Sequence, residues 1–145
     1  MHFTSGINRP PYEEGSAFLQ ITSGCSHNGC LFCSYYKKDR YAKSSLEEIE
    51  EDVKQIPMYF GRPKRIFLQS ANAFSADYDV LMKTAEFIHT YVPSVTEIGG
   101  YARVDDFCDK TEDQLRSMRD AGFKDPYIGV ESGDDYLLKL MHKGY

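Results

Sequence analysis

The chain has 145 residues, 41% hydrophobic and 27% charged, with 17 basic against 22 acidic side chains and a net charge of −5. That length suits one domain burying about 70% of its unfolded surface, and the mild acidity argues against a nucleic-acid partner, which needs a basic face. No run approaches the ~20 apolar residues that span a bilayer, and Met1 to Pro11 lacks the apolar stretch of a signal peptide. A cytoplasmic protein is therefore expected, in which the four cysteines stay reduced and available to metal rather than paired as disulfides.

Residues 1–16 read as an extended arm in which Pro10-Pro11 blocks a helix. Ala17 to Thr22 is an apolar first strand, followed by a cysteine-bearing loop. Ser44 and Glu47 fit a capping box, and Leu46, Ile49, Val53 and Ile56 repeat at helical spacing until Pro57 and Gly61-Arg62-Pro63 end the helix. Arg65 to Gln69 is a second buried strand. Asp77 is placed to cap a helix with Leu81, Ala85 and Ile88 on its apolar face, stopping near Pro93. Glu97 to Ala102 is a third strand. Thr111 and Gln114 form a further capping box, ahead of Leu115 and Met118, with Gly122 as a left-handed cap. Pro126 to Val130 is the fourth strand, and a last helix starts near Asp134 and ends at Gly144.

Four successive strand–helix units predict an α/β fold with a parallel sheet and right-handed crossovers. In such sheets chemistry collects on loops at the carboxyl ends of the strands. The cysteine loop, Ser70 to Ala73, Arg103 to Asp106 and Glu131 to Gly133 all fall there and are expected to share one rim.

The cysteine loop carries the most specific signal. Cys25, Cys30 and Cys33 crowd into nine residues, Cys25-Ser26-His27-Asn28-Gly29-Cys30-Leu31-Phe32-Cys33. Three thiolates on one loop can each hold one iron of a 4Fe–4S cube and leave the fourth iron open. The rival reading is a non-catalytic, zinc-stabilised interaction module that takes its fourth ligand from His27 or Cys108. A redox dithiol at Cys30-Leu31-Phe32-Cys33 is a further alternative.

The chain resembles the radical SAM superfamily. The resemblance rests on Arg9-Pro10-Pro11 and Glu13, the cysteine loop with Gly24, Ala102-Arg103-Val104-Asp105, Ala121-Gly122, and Ile128-Gly129-Val130-Glu131-Ser132-Gly133. It looks most like the branch that includes oxygen-independent coproporphyrinogen oxidase-like and Elongator-type proteins. The resemblance implies a partial, TIM-like barrel, a 4Fe–4S cluster on Cys25, Cys30 and Cys33, and S-adenosylmethionine on the open iron. An electron would then break the sulfonium bond to give a 5′-deoxyadenosyl radical that acts on a substrate the sequence does not name. It implies Phe32 against the adenine, Ser70, Ala71 and Asn72 at the methionine amino group, Arg103 at its carboxylate, and Glu131 and Ser132 at the ribose. A flavodoxin or ferredoxin is implied as electron donor.

This sequence departs from the family pattern in three ways. The first cysteine gap is four residues rather than three, with Gly29 expected to absorb the extra residue through a backbone conformation closed to other residues. Ser70-Ala71-Asn72 replaces a Gly-Gly-Glu run. The chain stops after the fourth unit, so 17–145 is expected to be a truncated core whose bare fourth strand is covered by self-association or another chain. Several residues also have plainer readings. Glu131 would complement the dipole of the last helix, Arg103 would form a surface pair with Asp105 and Asp106, and Cys108 would pack in the interior. Tyr35, Tyr36 and Tyr41 line a pocket or form a rim lid, and His27 shapes the loop through hydrogen bonds.

Overall fold

In chain order, the computed structural model of residues 1–145 carries β1 (Ala17–Gln20), β2 (Thr22–Ser23), β3 (Ala42–Lys43), α1 (Leu46–Phe60) and β4 (Arg65–Gln69). These are followed by α2 (Tyr78–Tyr91), β5 (Glu97–Ala102), α3 (Glu112–Asp120), β6 (Tyr127–Ile128) and α4 (Asp135–Leu140), with 3-10 turns at Pro11–Glu13, Ala73–Ser75 and Val104–Phe107. The sheet runs β1-β4-β5-β6 and is parallel throughout, with Leu19 opposite Leu68, Leu68 opposite Gly100, and Ala102 opposite Ile128. This is the α/β arrangement of a partial TIM-like barrel.

Strand periodicity sorts the side chains onto two faces. Ala17, Leu19, Ile66, Leu68, Ile98 and Ala102 join Ile49, Val53 and Ile56 of α1 and Leu81, Ala85 and Ile88 of α2 in one buried core. Phe18, Gln20, Phe67, Gln69 and Tyr101 alternate with them and belong to the inner face. There Phe67 meets Tyr101 and Tyr127 edge-on, with centroids 5.2 and 6.0 Å apart.

Residues 1–16 wrap the open edge of β1. The Met1 ammonium lies 3.2 Å from the buried Asp52 carboxylate of α1. The Thr4 and Asn8 amides donate to Gln20 Oε1 and Gln69 Oε1 at 2.9 and 3.0 Å, which lays the arm across the inner face. At the amino ends of the strands Glu13, 1% exposed, accepts from Ser16 Oγ and from Arg65 Nε at 2.9 and 3.0 Å. Gly99 makes room for this pair, because a Cβ there would sit on the Arg65 guanidinium.

Several element boundaries differ from those read in the sequence. The α1 capping box uses Ser45 and Glu48, one residue later than expected, because Ser44 Oγ is engaged by His2 Nε2 at 3.0 Å. Leu46 is consequently exposed rather than on the apolar face. The helix continues through Pro57 to Phe60, with Gly61 as its cap, losing only the bond that the missing N–H would have made to Val53. Asp77 stands at the start of α2 but its carboxylate holds Lys43 Nζ at 2.8 Å instead of capping. The first strand is interrupted after Gln20, and Thr22–Ser23 turns to pair antiparallel with Ala42–Lys43. The fourth strand shortens to Tyr127–Ile128. The Thr111/Gln114 box and the left-handed Gly122 are as read.

Replacing Arg65 by Met leaves the Glu13 carboxylate buried without its cation and is expected to cost about 3 kcal/mol of stability. Adding Glu13→Leu should recover most of that loss, and denaturant titration of the single and double variants measures both effects.

Candidate metal centre

The loop from Gly24 to Arg40 has almost no ladder of its own and is fixed from outside. Asn72, fully buried, accepts from the Ser26 amide at 3.1 Å and donates to Ser26 Oγ at 2.7 Å and to Asp106 Oδ1 at 2.9 Å. The segment after α4 holds the other side. Leu31 N donates to the Met141 carbonyl at 2.9 Å, and His27 Nε2 donates to the His142 carbonyl at 2.7 Å. Inside the loop, Asn28 Nδ2 reaches the Tyr36 carbonyl at 3.0 Å and the Asn28 amide points at Cys25 Sγ from 3.3 Å. The left-handed residue that absorbs the longer cysteine gap is Asn28, at φ 46°, and not Gly29. Asparagine tolerates that conformation better than most side chains. Gly29 serves a different need, since a Cβ there would lie 2.9 Å from His27 Nε2.

Thus held, Cys25, Cys30 and Cys33 line one cavity of about 470 Å³, together with Phe32, Ala71, Arg103 and Glu131. Four strand-end loops therefore meet at one rim. The wall also includes Asn8, Tyr35, Tyr36, Tyr101, Tyr127 and Lys143. Nowhere do three His, Cys, Asp or Glu side chains close on a single ion position. Thiols spread around a void suit a polynuclear cluster, in which each binds a different iron. A structural zinc would draw four ligands to within ~2.3 Å of one point. His27 is already engaged by His142, and Cys108, which proves exposed rather than packed, lies outside the cavity wall. The zinc reading is not favoured.

Arg103 is buried, not a surface residue. Its Nε and Nη2 fork onto Asp105 at 2.9 Å each and Nη1 donates to the Lys143 carbonyl at 3.1 Å. Of the five guanidinium N–H groups two remain for a ligand. Burial works against the Arg103 charge, but the Asp105 carboxylate outweighs it and raises the pKa. Lys143 behaves alike, burial opposing and Glu131, at 3.1 Å, restoring the charge. Burial raises the Asp106 pKa against the lowering effect of the Arg103 amide and Asn72.

Glu131 adopts φ 65° and Ser70 φ 108°, both in the left-handed region that favours glycine. Ser70 is buried with its hydroxyl 2.6 Å from Thr22 Oγ1, and neither it nor Asn72 forms part of the cavity wall. Ser132 is a turn residue whose Oγ accepts from the Asp134 amide at 3.0 Å. Tyr41 likewise sits away from the cavity, its hydroxyl 3.0 Å from Ser75 Oγ. Reading the strands alone would have put Tyr101 and Tyr127 on the inner face by alternation with core residues. Lys143 gives no such signal, because its place depends on the fold-back after α4.

The sequence pattern of the Radical SAM superfamily matches residues 19–145. The chain belongs to that superfamily. Among curated proteins none matches. The crystal structure of methylornithine synthase (PylB) shares the fold, with a TM-score of 0.60 and 16% identity over 90% of this chain and 37% of that chain. The present chain thus spans well under half the length of that protein. No helix is long and apolar enough to cross a membrane.

Because Asn72 holds both Ser26 and Asp106, Asn72→Ala is expected to lower stability by about 2 kcal/mol. Hydrogen exchange of the Ser26 amide should accelerate in the same variant, while exchange in α2 changes only with global stability.

Proposed function

We propose that this chain is a core segment of a radical SAM enzyme, with Cys25, Cys30 and Cys33 holding a 4Fe–4S cluster and S-adenosylmethionine bound beside it. The observation that supports this reading most is the placement of three thiols around one cavity whose remaining wall carries the strand-end residues Ala71, Arg103 and Glu131. When bound, the cluster supplies the electron that cleaves the sulfonium bond of S-adenosylmethionine, and a flavodoxin or ferredoxin is the proposed source of that electron.

The chain's own residues position the cofactor and shield it. Phe32, half exposed on the loop and within 5.9 Å of Lys143 Nζ, offers a flat face for adenine. Arg103, oriented by Asp105, presents its two unused N–H groups to the methionine carboxylate. Glu131, held by Lys143, has its second carboxylate oxygen for the ribose hydroxyls, and Ser132 fixes the turn that aims it. Ala71, in the cavity wall, would be the residue that meets the methionine amino group, with Ser70 and Asn72 holding that wall from behind through Thr22 and Ser26. Residues 17–145 would form the catalytic half-barrel and residues 1–16 its inner arm. The β6 edge, where Ile128 is 42% exposed, is the surface on which a second copy or another chain would pair.

The test is metal content. Anaerobically reconstituted protein is expected to hold about four iron and four sulfide per chain. Alanine at Cys25, Cys30 or Cys33 should reduce that several-fold, and alanine at Cys108 should leave it unchanged. Zinc near one per chain with no sulfide would contradict the reading.

A further inference from the structure

Two cations of the thiol cavity wall are ion-paired, and both pairs are oriented the same way. The Lys143 side chain is 8% exposed against 35% for its partner Glu131, and Arg103 is 7% exposed against 45% for Asp105. In each pair the cation is the buried member while water screens the carboxylate, so the charges do not cancel at the cavity. Apart from the thiols, Arg103, Glu131 and Lys143 are the only residues of the wall with a charged side chain.

The two cations are not equally occupied. Arg103 gives two N–H groups to Asp105 and a third to the Lys143 carbonyl. The Lys143 ammonium can donate three hydrogen bonds and makes one, to Glu131 Oε1 at 3.1 Å. Its other neighbours are rings, with the centroids of Phe32 and Tyr145 at 5.9 and 5.5 Å from Nζ. Gly129 leaves room for the pair, since a Cβ there would lie 2.9 Å from Glu131 Oε1 and 3.3 Å from Lys143 Nζ. A buried ammonium with so little compensation is costly unless a further anion meets it.

The anions that the wall can add are thiolates. Lys143 is tied to their loop, because the Leu31 amide, between Cys30 and Cys33, donates to the Met141 carbonyl at 2.9 Å, and Phe32 belongs to the same loop. Burial works against the Lys143 charge, whereas Glu131, Tyr145 and Cys30 favour it and prevail. An iron–sulfur core on three thiolates is net negative and becomes more so when it accepts an electron. A cation buried in the same cavity wall favours that reduced form by Coulomb attraction, which raises the potential.

We propose that Lys143 is the charge-setting residue of the thiol cavity, its buried ammonium compensating the negative charge that a 4Fe–4S cluster on Cys25, Cys30 and Cys33 gains on reduction. This deepens the radical SAM reading and rests on it. One electron from the low-potential donor enters the cluster, no bond to Lys143 forms or breaks, and its proton stays in place. Lys143 is thus a positioning residue for charge and not a ligand of the metal.

The test is a redox titration of the anaerobically reconstituted chain without S-adenosylmethionine, reduced by dithionite and followed by electron paramagnetic resonance. Lys143→Met removes the cation and leaves Glu131 charged. The reduction equilibrium should then shift about tenfold toward the oxidised cluster, ~59 mV downward for one electron. Glu131→Gln keeps the shape and unmasks Lys143, so the shift should be about tenfold in the opposite direction. The double variant should return close to the wild-type potential, and Lys143→Arg, which keeps the charge, should stay near it.

Opposite shifts are what loosened packing could not produce, because extra water would move both variants the same way. A potential unchanged in both single variants would overturn the proposal, and so would a shift of the same sign in both. Glu131→Gln decides the matter by itself if Lys143→Met fails to fold. Iron and sulfide are assayed in every sample. Wild type without a cluster overturns the radical SAM reading and this proposal together, whereas a full cluster with unmoved potentials overturns the role of Lys143 alone.

Discussion

A loop that carries three thiols and has almost no secondary structure must be shaped by what surrounds it, and in this protein Asn72 carries the largest share of that constraint. Its single amide answers the Ser26 backbone, the Ser26 hydroxyl and the Asp106 carboxylate at once. It thereby couples the loop after β4 to the loops after β2 and β5. The fold-back after α4 closes the other side through the Met141 and His142 carbonyls. A buried network of this kind specifies one arrangement only when each member is satisfied, and around Asn72 it is. The chain's own hydrogen bonds thus fix where its thiols stand.

The sheet supplies the rest through simple alternation. One face turns aliphatic residues to α1 and α2 and forms the core, while the other turns aromatic and amide side chains to the cavity and the arm. The two ends of the inner face do different work. At the amino ends Glu13 and Arg65 form a buried ion pair over Gly99, which plugs the half-barrel. At the carboxyl ends the loops open onto the thiols. Left-handed Ser70 and Glu131 both lie in the loops at this carboxyl end, as expected where surrounding structure holds a site in place, while left-handed Asp125 stands at the amino end of β6 beside Arg65.

Much of the fold is legible in the sequence because local signals agree with the tertiary answer. The span Glu97–Ala102 and the Thr111/Gln114 box are read directly from pattern. The reading fails where distant partners decide. Ser44 loses its capping role to His2, and Asp77 to Lys43. The ribbon of β2 and β3 has two residues per strand and so too little pattern to show. Among the site residues, the cysteines, Phe32, Ala71, Arg103 and Glu131 reach the cavity as their positions after strands predict. Motif position alone could not reveal that Asn72 faces the loop from behind, nor that Lys143 returns to the rim.

Whether the three thiols hold a cluster with an open iron is decided by an electron paramagnetic resonance spectrum of the anaerobically reconstituted, dithionite-reduced chain, recorded with and without S-adenosylmethionine. A reduced-cluster signal is expected, with g-values that shift when S-adenosylmethionine is added, as an iron without a protein ligand would take it up. A preparation that forms no cluster, or a cluster signal unchanged by saturating S-adenosylmethionine, would contradict that expectation.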